Sequence, residues 1–167
     1  TGASVSEVKI DRFTGELKLE KADLMLDIGK PIHEGIDLGQ TYGGFVQGLG
    51  WLTTEELRYA DNGTLLSYSP TTYKIPNISD IPEEFSVEFV ENPEHQINIW
   101  RSKAVGEPPL MLSLSVWIAV KHALSCLDHQ QIPKLNIPAT SEEILRRIEA
   151  IKGLKNFSNM ESEIPLI

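Results

Sequence analysis

The sequence predicts an α+β domain, and three observations predict it: short runs that alternate apolar and polar residues, longer stretches with helical spacing, and glycine- or proline-bearing turns between them. No internal repeat is evident. The expected architecture is a set of strands and hairpins packed with a glycine-rich helix and a buried apolar helix, closed by a capped C-terminal helix.

The first element is a hairpin. Val5 to Asp11 and Glu16 to Asp27 read as strands joined by Arg12-Phe13-Thr14-Gly15, with the glycine at the end of the turn. Leu17 and Leu19 share one phase while Leu24, Leu26 and Ile28 share the other, so a bulge or bend is expected near Lys21. Gly29-Lys30-Pro31 breaks the run.

From Ile36 the period changes. Ile36, Tyr42, Phe45, Val46, Leu49 and Leu52 recur near every third or fourth position, which predicts a helix from about Asp37 to Leu52. It contains Gly39, Gly43, Gly44, Gly48 and Gly50, each costing about 1 kcal/mol against alanine in a helix interior. Two physical offsets are available: close packing of another helix through small residues, or close approach of a ligand. The glycines are no dinucleotide fingerprint, since no strand runs into the required spacing, and a phosphate-loop lysine is absent.

Beyond the helix, Thr53 to Tyr59 and Thr64 to Tyr68 flank Asp61-Asn62-Gly63, the turn chemistry of a second hairpin. Ser69 to Pro82 is punctuated by proline and expected to be irregular. Phe85 to Val90 and Ile97 to Arg101 alternate like strands around an Asn92-Pro93 turn. Pro109 to Leu127 reads as one helix, apolar on so much of its circumference that it should pack on more than one side. Thr140-Ser141-Glu142-Glu143 has the pattern of a capping box opening a last helix that Gly153 should end near Lys152. Residues 1–155 are thus expected to form the domain and 156–167 a tail with little structure of its own.

Composition narrows the functional classes. A chain of 167 residues can bury roughly 68–70% of its unfolded surface, and 41% hydrophobic with 23% charged residues is ordinary for a soluble globular protein. The longest apolar stretch, Leu110 to Val120, is interrupted by serines and too short for a bilayer, so no membrane association is expected. A net charge of −9 argues against nucleic acid, because phosphate binding needs clustered lysine and arginine. Arg146, Arg147, Lys152 and Lys155 share their helix with Glu142, Glu143 and Glu149, which is the pattern of a solvated face. Thr1 followed at once by a strand-like run reads as the middle of a longer polypeptide.

Cys126 is the single cysteine and is expected to be a buried small hydrophobe, with a reducing, cytoplasmic compartment as the corollary. His33, His95, His122 and His129 show no ligand spacing with one another or with the cysteine, so no metal ligated by this chain is expected.

The stretch Lys103-Ala104-Val105-Gly106-Glu107-Pro108-Pro109-Leu110 carries the candidate chemistry. Gly106 permits close backbone approach, Pro108 restricts Glu107 to an extended conformation, and the prolines suit a first helical turn. A carboxylate where a helix begins is favoured in its ionised form and suited to accept a proton. The plain alternative is a helix-capping acid at a turn.

Several separated motifs then occur in one order. Ile36-Asp37-Leu38-Gly39-Gln40, Gly43-Gly44-Phe45-Val46-Gln47-Gly48-Leu49-Gly50, Ser69-Pro70-Thr71-Thr72-Tyr73-Lys74-Ile75-Pro76 and Ser102 to Leu110 resemble the C-terminal part of the molybdenum-cofactor domain of the xanthine dehydrogenase and aldehyde oxidase family. Ile137-Pro138-Ala139-Thr140-Ser141-Glu142-Glu143-Ile144 is similar to that family's closing segment, and Pro108-Pro109-Leu110 resembles its xanthine dehydrogenase branch.

The resemblance implies oxidative hydroxylation of purine-like heterocycles with water as the oxygen source. It implies Glu107 as general base and Gln40 as a contact to a molybdenum–molybdopterin cofactor. That cofactor would be held mainly by an upstream half of the domain, with iron–sulfur clusters and FAD in other domains or subunits. It implies no chemistry for Gln47, Tyr73 or Lys74. The isolated chain is then expected to be inactive. Two other readings stay open: a catalytically silent interaction or assembly domain of the same fold, and an aldehyde-oxidising relative.

Overall fold

The computed structural model describes residues 1–90, 92, 94–128 and 132–162, the stretch from 154 onward by backbone alone. His129, Pro93 and the last five residues of the expected tail lie outside the described residues.

Strands β1 (Gly2–Ile10) and β2 (Leu17–Leu26) form the expected hairpin. Asp11 shapes its turn by accepting the Phe13 and Thr14 backbone N–H groups on Oδ1, at 2.7 and 3.0 Å. Gly15 follows in left-handed conformation, where a Cβ would overlap the Ser141 carbonyl. The expected bulge is present: Glu7 pairs with Lys21 and Val8 with Leu19, leaving Glu20 as the extra residue.

The bulge lets one strand turn its leucines inward on both sides of the phase switch. Leu19, Ala22, Leu24 and Leu26 enter a core with Ile28, Phe45, Leu49 and Val116. Leu17 packs instead on a second core of Val120, Leu124, Leu135, Ala139, Ile144 and Ile148.

Strand β3 (Glu84–Phe89) completes the sheet in the order β1-β2-β3, and it runs parallel to β2, from Lys21 opposite Glu84 to Leu26 opposite Phe89. Parallel neighbours need a long crossover. Here it holds helix α1 (Glu34–Thr53) and the irregular 54–83 segment. Helix α1 starts three residues earlier than its apolar period suggests, because His33 serves as N-cap: its Nδ1 accepts the Ile36 N–H at 3.3 Å, and Asp37 Oδ2 accepts the His33 N–H at 3.2 Å. Phe45 and Tyr42 seat α1 on the sheet through Phe85, with ring centroids 5.2 and 4.7 Å away.

The expected second hairpin is much reduced. Thr53 belongs to α1, and only Tyr59 and Leu65 form a bridge around the left-handed Gly63. The expected strand at Ile97 to Arg101 is absent. The segment makes a tight turn at Ile99–Arg101 in which Trp100 and Arg101 are both left-handed, at φ 57° and 61°, so the alternation there reports no pleat.

The expected Pro109 to Leu127 helix is two helices, α2 (Pro108–Leu112) and α3 (Leu114–Ser125). They meet at Ser113, which is fully buried and turns its Oγ back to the Leu110 carbonyl at 2.6 Å, a local bond that competes with the helical ladder. Ser4 and Ser6 of β1 reach this pair, with Ser4 Oγ donating to the Leu112 carbonyl at 2.6 Å and Ser6 Oγ 2.7 Å from Ser115 Oγ. Only part of α2 and α3 is covered. Val116, Val120 and Leu124 are buried, whereas Met111 and Ile118 are more than half exposed. Cys126 is exposed, against expectation, because it caps α3 on the side away from both cores.

Helix α4 (Ser141–Ser162) runs through Gly153, where among the described residues nothing lies within 4 Å of an added Cβ and no positive φ ends the helix. Thr140 Oγ1 accepts the Glu143 N–H at 3.2 Å, but Glu143 reaches the Asn136 N–H at 2.9 Å, so half of the expected capping box forms. The architecture is α+β, a three-stranded mixed sheet with helices on one face, and no helix among the described residues is long and apolar enough to cross a membrane.

Candidate functional site

Glu107 occupies the N-cap position of α2, at φ −95° and ψ −40°. This is helical rather than the extended conformation expected before a proline. Its carbonyl accepts the Leu110 N–H at 3.1 Å, and that first turn compensates for the steric preference. The carboxylate caps nothing. It is exposed, and no hydrogen bond or ion pair to it is present among the described residues.

Gln40 lies across from this bend. A Cβ built on Gly106 would stand 3.4 Å from Gln40 Oε1, so only the narrowness of Gly106 separates the glutamate bend from the α1 amide. The Gln40 amide is likewise exposed and without a partner among the described residues. The bend that carries Glu107 and the Gln40 amide are therefore close in space, and both side chains are exposed.

Four of the helix glycines divide into two sets. At Gly44 a Cβ would meet Pro109 at 3.1 Å and the Gly106 carbonyl at 3.2 Å, and at Gly48 it would overlap Ser113 and the Leu110 carbonyl. These glycines admit the backbone of α2, which is the packing explanation. Among the described residues nothing lies within 4 Å of a Cβ added at Gly39 or Gly43, which lie beside Gln40 on the exposed side of α1. Packing against the described residues does not offset their cost. Gln47 is exposed on the same side.

A polar clamp, not anticipated from sequence, ties the end of β2 to the segment that leads to Glu107. Asp27, at the end of β2, accepts Lys103 Nζ at 2.5 Å and Asn92 Nδ2 at 2.8 Å on Oδ2, and the Gly29 N–H at 2.9 Å on Oδ1. Lys103, Gly29 and Asn92 together hold its carboxyl well below the usual carboxylate range. The backbones join as well: Lys103 N–H donates to Ile28 O at 2.9 Å and Lys30 N–H to Arg101 O at 2.8 Å, with Gly29 and Ser102 bridged between them. Gly29 is left-handed, and a Cβ there would overlap the Arg101 carbonyl. A strand-ending Asp-x-Gly with a lysine four residues before Glu107 was the available signal, but nothing local links the two.

Tyr73 donates to Glu55 Oε2 at 2.5 Å, well away from the Gln40 bend in the chain, and this bond ties the proline-punctuated segment to the end of α1. A cleft of about 460 Å³ between β2, Thr53, Pro76 and Ala139 includes neither Glu107 nor Gln40. Among the described residues no group of three His, Cys, Asp or Glu side chains could hold a metal ion.

Residues 1–82 match the family model of the molybdopterin cofactor-binding domain. Over 86% of its length the chain is 42% identical to a xanthine dehydrogenase/oxidase of Felis catus, and 44% identical to one of Gallus gallus. It spans 11% of the length of these relatives. In three dimensions it is similar to quinoline 2-oxidoreductase from Pseudomonas putida 86, with a TM-score of 0.77 and 29% identity over 85% of this chain and 18% of that one. A copper- and molybdenum-containing CO dehydrogenase shares the fold, with a TM-score of 0.78 at 24% identity over 90% of this chain and 18% of that one.

Proposed function

Because this chain is a piece of a molybdopterin cofactor-binding domain related to the xanthine dehydrogenases, we propose that it brings a general base, Glu107, and a cofactor contact, Gln40, to the hydroxylation of purine-like heterocycles with water as the oxygen source. The observation that carries this reading is the closeness of the bend bearing Glu107 to the Gln40 amide, both side chains exposed and without a partner among the described residues, beside helix glycines that no described residue covers.

That face suits a large polar cofactor. The Gln40 amide offers an acceptor and two donors, and Gly39 and Gly43 leave room for a group to lie against the helix backbone. When bound, the molybdenum–molybdopterin group would supply the two-electron redox chemistry. Glu107 would take up the proton released as water becomes nucleophilic, a task for which an exposed, unpaired carboxylate is free. The cofactor's remaining contacts belong to the upstream half of the domain, and FAD and iron–sulfur clusters in other domains or subunits would carry the electrons away. A heterocyclic substrate agrees with the names of the relatives, and a cytoplasmic location is part of the same proposal.

The test is Glu107→Gln in the full-length enzyme. Turnover of a purine should fall by about 10²- to 10⁴-fold with molybdenum content per protein unchanged. Unchanged turnover would remove Glu107 as the base, and preferential turnover of an aromatic aldehyde by the wild type would move the substrate class.

A further inference from the structure

The bend at Gly106-Glu107 has no side-chain hydrogen bond of its own among the described residues, so it is placed by the packing of α2 on α1 after it and by the segment before it. That segment leaves a strained turn. Trp100 and Arg101 sit in the left-handed region, a costly conformation for bulky residues that persists only where surrounding structure enforces it. The enforcement is visible: two backbone hydrogen bonds and a bridge to residues 28–30, Asn98 Nδ2 on the Ser102 carbonyl at 2.9 Å, and the Lys103–Asp27 ion pair.

The ion pair is the charged member of these ties. Its two side chains are 24% and 16% exposed, so solvent screens it less than the other described Lys–Asp and Lys–Glu pairs, all with at least one partner above 40%. Asp27 receives two further hydrogen bonds, which leave it rigid, and Val105, two residues beyond Lys103, packs on the first core. From Lys103 the chain therefore has two points of fixation before it reaches Gly106.

We infer that Lys103, through its ion pair with Asp27, is a positioning residue for Glu107: it fixes the 101–105 strap to the end of β2 and thereby sets where the carboxylate stands beside the uncovered glycines of α1. The inference rests on Glu107 being the general base. Lys103 touches neither substrate nor cofactor in this role. A base displaced by about 1 Å can lose on the order of 100-fold in rate, which is the scale of effect the strap controls.

The experiment compares Lys103→Met, Lys103→Arg and Asp27→Asn with Glu107→Gln in the full-length, cofactor-loaded enzyme. Lys103→Met and Asp27→Asn should each lower kcat by about 10- to 100-fold with KM within about twofold. Amide hydrogen exchange should quicken by about tenfold or more in residues 101–107 while the β1–β2 hairpin keeps its protection. Lys103→Arg, which retains the charge, should restore both readouts. The inference is overturned if Lys103→Met and Asp27→Asn leave either kcat or the local exchange at the wild-type value, or if KM absorbs the whole effect. Wild-type turnover in Glu107→Gln would instead remove the general-base reading, and this inference with it. Loss of turnover there, with normal turnover in Lys103→Met, removes only the positioning role.

Discussion

Gly48 of α1 and Ser113 between α2 and α3 are in such close contact that a single methyl group on the glycine would overlap the serine hydroxyl. The same methyl would also overlap the Leu110 carbonyl, which is backbone and cannot swing aside. This crossing sets the separation of α1 from the α2 that begins at Glu107.

Gly48→Ala is therefore expected to destabilise the fold by about 1–3 kcal/mol, the usual cost of overpacking a core. A lower denaturation midpoint in urea with an unchanged slope would show it. A stability equal to wild type would mean that the helices part freely at this point.

Gly43→Ala should act in the opposite direction. Among the described residues nothing lies within 4 Å of the added methyl, so the gain in helix propensity should stabilise the chain by about 0.4–1 kcal/mol. In the cofactor-bearing enzyme the same change should lower molybdenum content, since the methyl would stand on the face proposed for the cofactor. Higher thermal stability of the chain with lower metal loading of the enzyme is the expected pair of results.

Thr140→Ala should cost about 1 kcal/mol through loss of the bond to the Glu143 N–H. Thr140→Ser, which keeps the oxygen, should recover most of it. Thermal melts of the three proteins are sufficient to decide.

Acid should weaken the fold through two carboxylates. Asp27 is lowered by Lys103, Gly29 and Asn92; at Glu143 burial acts upward but is outweighed by Arg147 and the Asn136 N–H, so it too is lowered. Because both folded-state values lie below the unfolded ones, their stabilisation is present above the unfolded pKa values near 4 and is lost as pH falls through the folded ones. Denaturation midpoints followed from pH 6 downward should fall below about pH 4 in the wild type. They should fall less in Asp27→Asn and Glu143→Gln, measured relative to each variant's own value at pH 6.

The hairpin and its bulge were legible in the sequence because a period of two records its own phase, and the phase changed between Leu19 and Ala22. Helix α1 was legible for a similar reason, and the motifs around Glu107 and Gln40 were legible as candidates. Their adjacency was not, because it depends on how α1 crosses α2. The break at Ser113 was hidden by apolar residues on either side that kept a helical period through it. The turn at Trp100 had no glycine or asparagine to mark its left-handed backbone. The Lys103–Asp27 pair spans 76 positions, and only the fold brings such groups together.

The extra residue at Glu20 makes the strand a junction between the two cores, with Leu17 assigned to one and Leu19 through Leu26 to the other. Deleting that one codon would leave every other side chain intact, yet rotate the start of the strand half a turn and strand Leu17 and Leu19 in water. No single substitution could repair such a lesion, so the reading frame of this strand is guarded by geometry rather than by the identity of the residue that occupies it.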